Sequence, residues 1–482
     1  MEKGPINSYT EDDFTTPLVT RDGFEEQRRR RYIIIARRAV ALICAMIIGL
    51  QSGTTNAFNT IASHIQNDTG LGDNLMTLLS SLGIIGLFFT FPAGYVNDRF
   101  GAMWTGLIGA VLTSAGYAGM SFTDKESYAA MLICLMLVGF GSGTSFLAAL
   151  STGLKTIPGY PGLGIAMVGA CMSLSLALTN GIVEFYKNVF DCSADSCWPY
   201  YLRSLAVSTA IFLFVPSFGL SLLPPDEPAP APIQEEEFGV SEDTLPPVSS
   251  SSKADLIHQD LIDGRHNTPV SLFYSLHTMR NIFFWFLILG NFAGISSAVF
   301  IITSNKSIWT TFTNGKDADW AVNITTAFSI TNTVANIVSG FATDFLWSRF
   351  RYPRNKLLSL VLLFDAVVYI ILIGLSYGVS DPTAAAQVVF VICLVSVGFC
   401  FGTFLSVVPI IVGDFYGHVN FGLYFGYIQL GATGATFIIP NVAEVIKQQM
   451  GNYNVIFIFL AVCLATSSLG VYFKRPTPIG RW

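Results

Sequence analysis

Twelve apolar stretches, each long enough to cross a bilayer at roughly 20 residues per crossing, dominate the chain. Their limits are 38–62, 73–97, 102–122, 127–152, 160–187 and 199–222, then 280–304, 318–346, 355–378, 383–412, 418–443 and 453–473. In lipid the backbone must satisfy its own hydrogen bonds, so these stretches are predicted to be transmembrane helices. Composition agrees. The chain is 52% hydrophobic and 12% charged, with mean hydropathy +0.54, more apolar surface than a soluble domain needs. The expected organisation is a disordered cytosolic tail (1–37), a six-helix bundle (38–222), a cytosolic linker (223–279), a second six-helix bundle (280–473) and a short cytosolic tail (474–482). The linker holds Pro224-Pro225, Glu235-Glu236-Glu237 and the serines 249–252, a composition that resists packing. No removable signal peptide is expected.

The two bundles are related. Gly94-Tyr95-Val96-Asn97-Asp98-Arg99-Phe100-Gly101, between spans 2 and 3, reads G-x-x-x-D-R-x-G. Its glycines let helix ends approach closely, and its charges can bond neighbouring helix ends. A degraded copy lies 246 residues on, Gly340 to Asp344 followed by Arg349, Arg351 and Arg354. Val138 to Thr144 in span 4 matches Val397 to Thr403 in span 10, and Gly162-Leu163 matches Gly422-Leu423. Gly-rich helix packing is the blander explanation of such matches. Their common order favours two parallel repeats, an arrangement of transporters.

Of the 26 Lys and Arg, 20 fall in the tails, the linker and loops on one side, which places both termini in the cytosol. Two sequons, at Asn67 and Asn305, then lie outside, as do Cys192 and Cys197, which could form a disulfide. The other six cysteines lie within spans as small core residues. No spacing matches a zinc, haem or iron–sulfur site, so no metal or cofactor is expected.

On the 94–101 loop, the twelve spans and the central linker, the chain resembles the major facilitator superfamily. Within it, Thr144 to Ala177 and Asp414 to Gly426 resemble the nodulin-like branch that includes fungal monocarboxylate-transporter homologues. Ala102 and Met103 depart from the superfamily signature, which carries a basic pair there. The resemblance implies an all-α membrane protein of two six-helix parallel repeats around a cavity lined by spans 1, 4, 7 and 10, with help from 5 and 11. It also tilts the location toward a vacuolar or other internal membrane over the plasma membrane.

Polar residues in those spans are the candidate solute contacts: Gln51, Asn56, Thr144, Ser145, Asn291, Thr403, Tyr427 and Gln429. Phe146, Phe292, Phe404 and Tyr424 are candidate aromatic liners. Hydrogen bonding between helices, without solute contact, is the competing reading for each polar group. The expected cytosolic gate is Gly94, Asp98, Arg99 and Gly101 with Asp344, Arg349 and Asp414, against static surface pairing as the alternative. Glu184 and Asp365 are in-span carboxylates and hence candidates for proton coupling. Glu184 could instead reach the interface beside Lys187, and Asp365 could be structural. No Lys or Arg sits mid-span in the expected cavity, which disfavours di- or tricarboxylates.

The expected function is a secondary transporter moving a small organic solute by alternating access, as a uniporter or with protons. A non-transporting receptor or sensor on the same fold is the alternative. Enzyme motifs and a phosphate-binding loop for ATP-driven pumping are missing from the sequence. The expected partners are the solute, protons as the candidate coupling ion and the lipid bilayer, with no nucleic acid. This fold usually works as a monomer.

Overall fold

A computed structural model describes residues 21–123, 127–189, 198–223, 281–313, 320–378 and 383–473. The linker from 224 on, Cys192 and Cys197 lie outside the described residues. The described residues are helical throughout, with no strand among them. The first span is α1 (Arg21–Ser52), a 3-10 turn (Gly53–Ala57) and α2 (Phe58–Thr69). The second is α3 (Asp73–Phe88) and α4 (Phe91–Phe100). Then follow α5 (Ala102–Met120), α6 (Tyr128–Thr156), α7 (Pro161–Val189) and α8 (Trp198–Gly219). The second half comprises α9 (Ile282–Phe312), α10 (Trp320–Phe350), α11 (Arg354–Gly378), α12 (Ala384–Tyr416), α13 (Phe421–Met450) and α14 (Asn454–Phe473). Helix α1 begins at Arg21, inside the stretch expected as a disordered tail.

Eight segments among the described residues are long and apolar enough to cross a membrane by themselves. The four other spans are α5, α7, α10 and α13. The last three carry the contact between the two halves: α7 packs on α10 and α12, and α13 on α3 and α4. Small residues let backbones meet there, as where Gly94 approaches Gly422 and Gly340 approaches Gly162 and Ala166. Large apolar side chains such as Val111, Val215, Ile370 and Val388 instead face outward, where lipid would solvate them.

Both breaks in the first half trace to local sequence. Gly53 to Ala57 is rich in residues whose side chains bond nearby carbonyls, and Thr54 donates to the Gln51 carbonyl at 2.9 Å. Thr90 lies in the break between α3 and α4, just before the first-turn Pro92, where a missing N–H costs least.

Candidate functional site: two latches over an uncharged cavity

Asp98 ends α4 and reaches across to the other half. Its Oδ1 accepts the Gly422 N–H at 2.8 Å and its Oδ2 the Leu423 N–H at 2.7 Å. These donors belong to the first turn of α13 and have no partner within their own helix. A carboxylate therefore satisfies them and meets the positive end of the helix dipole. The repeat copy does the same. Asp344 of α10 accepts from Gly162 N at 3.2 Å and Leu163 N at 2.9 Å, in the first turn of α7.

Close approach makes both latches possible. A Cβ on Gly94 would lie 2.0 Å from the Gly422 carbonyl oxygen, and one on Gly340 2.2 Å from Ala166 Cβ. Gly101 ends α4 at φ +91°, a conformation L side chains rarely adopt.

The latches differ in charge compensation. Arg354 donates to Asp344 at 2.8 Å and, through its other terminal nitrogen, to both Asp414 oxygens at 2.5 and 2.6 Å. This chain ties α10, α11 and α12 together. Arg349, expected in that role, lies exposed on α10. At the first latch Arg99 is exposed and donates to Tyr95 one turn back, while Asn97 and the charge of Lys155 support Asp98. Arg354 thus carries the ion pairing expected of Arg349, because the turn after α10 brings the start of α11 back over Asp344.

Directly inside the first latch, Phe91 packs on Tyr427 with ring centroids 4.7 Å apart, and Tyr424 stacks on Tyr416 at 4.3 Å. Beyond this aromatic layer lies a cavity of about 40 Å³, room for about three waters. Its walls are mostly apolar and include Phe88, Phe146, Phe328, Phe401 and Phe425. The polar liners are Thr90, Ser173, Ser329, Asn332 and Gln429, and among the described residues no lining residue is charged.

The polar groups are oriented from behind. Asn291 of α9 donates to the Ile428 carbonyl at 2.9 Å and to Gln429 Oε1 at 2.8 Å, which turns the Gln429 amide nitrogen toward the cavity. Thr90 Oγ1 is buried without a partner. Asn336 of α10 donates to Ser173 Oγ of α7 at 3.1 Å and accepts from Ser406 at 2.9 Å, joining the halves beside the cavity.

Of the expected solute contacts, Gln429 lines the cavity and Asn291 stands behind it. Gln51 donates to Ser208 of α8 at 3.0 Å, and Ser145 to the Gly106 carbonyl at 3.5 Å. Thr144 and Thr403 bond carbonyls of their own helices, Phe140 and Phe399. The polar run of the first span turns the same way, with Thr55 donating to Ser142 of α6 and Tyr117 of α5 to Thr54. Gln51, Thr54, Thr55 and Ser145 thus join helices within one half, while Thr144 and Thr403 bond within their own helix. The side chains of Asn56 and Glu184 lie outside the described part. Of the aromatic candidates Phe146 lines the cavity, Phe404 packs on Gly294 and Phe292 packs against the core.

Asn305 is 4% exposed and donates to Thr325 within the bundle at 2.9 Å, so it cannot receive a glycan in this fold. Its sequon fell at the end of an apolar run that the helix extends past. Asn67 is exposed near the end of α2.

Two similar helical halves latched on one face over an uncharged cavity define a carrier-type membrane protein. The chain belongs to the Major Facilitator Superfamily, whose family model matches residues 41–315. It is 23% identical over 205 residues to "Probable transporter MCH1" of Candida albicans, covering 40% of this chain and 47% of that relative. It is 25% identical over 212 residues to "Riboflavin transporter RibJ" of Trypanosoma brucei brucei, covering 42% of this chain and 36% of that relative. The chain thus spans less than half the length of either relative. Among solved structures it is similar to the proton:xylose symporter XylE bound to a bromodeoxyglucose, with TM-score 0.69 and 12% identity over 92% of this chain and 97% of that one. The transporter FucP in its outward conformation gives TM-score 0.58 and 14% identity over 91% and 99%. The fold is shared with these sugar carriers; at such identity their substrates say nothing of this one.

Proposed function

We propose that the protein is a secondary transporter that carries a small uncharged organic solute by alternating access. The observation that carries this reading is the pair of symmetric carboxylate bonds between the halves, beside a cavity with no charged lining residue among the described ones. An anion buried there would have no cation to meet it, and a cation no carboxylate. Aromatic walls and the Gln429 amide suit a solute with a flat apolar face and a hydrogen-bond acceptor. The cavity as it stands has room for about three waters and none for such a solute, so binding requires the halves to part on the side away from the latches. Positive-inside bias supports placing the latch face in the cytosol.

Counterflow in proteoliposomes tests this. Neutral heterocycles, with riboflavin included because of the trypanosome relative's name, are compared with monocarboxylates and with sugars. Exchange of a neutral solute, weakened about 5- to 150-fold by Gln429→Ala, is expected, as loss of one buried hydrogen bond is worth about 1–3 kcal/mol. Exchange confined to anions would overturn the reading.

A further inference from the structure

Behind the cavity wall, in the interior of the second half, lies a carboxyl group that the latches do not use. Asp365 stands eleven residues after Arg354 in α11, about 16 Å along the helix at ~1.5 Å per residue. It is 2% exposed. Arg354, at the start of the same helix, is committed to Asp344 and Asp414.

Three helices surround Asp365. From α9 comes Ser297, whose hydroxyl meets the carboxyl. From α12 comes Cys400, and one turn along α11 stands Tyr369, both within its field. Tyr369 is anchored by donating to the Ser297 carbonyl at 3.0 Å. Helix α14 packs on α11, and Asn454–Phe473 contains no acidic or basic residue. Among the described residues no cation faces this carboxyl. Asp365 Oδ1 is buried without a hydrogen-bond partner.

A buried acid with one oxygen left without a partner and no cation facing it marks a site whose electrostatics are completed by something small and positive. A dry, unpaired carboxylate costs several kcal/mol, and the neutral acid avoids that cost. Sodium is poorly served here, since it takes several oxygen ligands and this pocket also contains a thiol. The position adds a route to function. Ser297 and Cys400 sit on the back of α9 and α12, whose Val299, Ile302, Phe401 and Leu405 line the solute cavity.

We infer that Asp365 is a proton-binding site of the transport cycle, protonated in the latched state and deprotonated when α9 and α12 rearrange. On release the carboxyl O–H bond breaks, its electron pair stays on the oxygen, and the proton passes to water admitted between α9 and α11. This rests on the transporter reading above.

Three measurements on the full chain test it. In proteoliposomes one proton per solute at a gradient of one pH unit sustains accumulation of up to about tenfold, because one unit is 1.36 kcal/mol. Wild type is expected to accumulate the solute that it exchanges in counterflow. In Asp365→Asn the ratio of pH-driven accumulation to counterflow is expected to fall to that of simple equilibration. In infrared difference spectra taken across pH, wild type is expected to show a protonated-carboxyl stretch that Asp365→Asn removes. If that variant fails to fold, Ser297→Ala is expected to move the pH midpoint of accumulation. Wild-type uptake indifferent to the gradient, a variant that accumulates like wild type, an infrared spectrum without the band, or an unmoved midpoint in Ser297→Ala would each overturn the inference. Counterflow absent for every solute would instead defeat the transporter reading, and the infrared band would still decide whether Asp365 holds a proton.

Discussion

Asp98 and Asp344 each close two backbone N–H groups of a helix from the opposite half. A hydrogen bond to a charged group is worth about 1.5–3 kcal/mol, so one carboxylate shifts the balance between open and closed faces substantially. Asp98→Asn keeps the size but loses the charge and one acceptor oxygen. It is expected to cost the closed state about 1–3 kcal/mol, a population shift of about 5–150-fold, read as longer spin-label distances between α4 and α13. An unchanged distance distribution would show that the latch is static. Behind the cavity wall, Asn291→Ala frees Gln429 to rotate. Solute affinity is expected to weaken several-fold while the latches hold, which separates orientation of Gln429 from gating.

Among elements, α11 is fastened to α10 and α12 by one guanidinium. Removing a partner from a buried ion pair leaves uncompensated charge and costs about 3–5 kcal/mol. Arg354→Met strands two carboxylates, of which Asp414 is 36% exposed at its side chain and so partly relieved by water. About 3 kcal/mol is expected, measured as a lower melting temperature in detergent. Gly94→Ala acts through geometry alone. Its new methyl would lie 2.0 Å from a carbonyl, so α4 must back away from α13, and the face is expected to open with little loss of overall stability. Equal distances in the variant and wild type would refute this. Part of the site was legible at this scale. Ser329, Asn332, Asn336 and Ser339 recur at helical spacing in span 8, a stripe that could have identified the α7–α10 contact. Thr90 was signalled by Pro92, since a proline in the first turn marks the break that exposes the threonine.

For the whole molecule, the proposed alternating access has the latches block one face and leave the other as the route to the cavity. Thr90→Cys in a background freed of the 8 native cysteines is therefore expected to react with an impermeant thiol reagent from the face opposite the latches. Adding Asp98→Asn and Asp344→Asn is expected to make it reactive from the latch face as well. Reaction from the latch face with both latches intact would show that they do not seal it.

The sequence alone determined the helical membrane class and the relation of the two halves, and it singled out Asp98 and Asp344, which bond the opposite half, because these depend on local properties. They rest on apolar length, on repeated order and on a motif whose residues are contiguous. It could not assign the polar residues of the spans. Gln51, Asn291 and Gln429 are equivalent in a list of amides. Whether one meets α8, a backbone carbonyl or the cavity depends on how each helix is rotated about its axis. That rotation is set by packing between segments far apart in the chain, as is the choice of Arg354 over Arg349 and the burial of Asn305. The tertiary structure decided these because buried donors and acceptors must find partners, and those partners are known only once the helices have met.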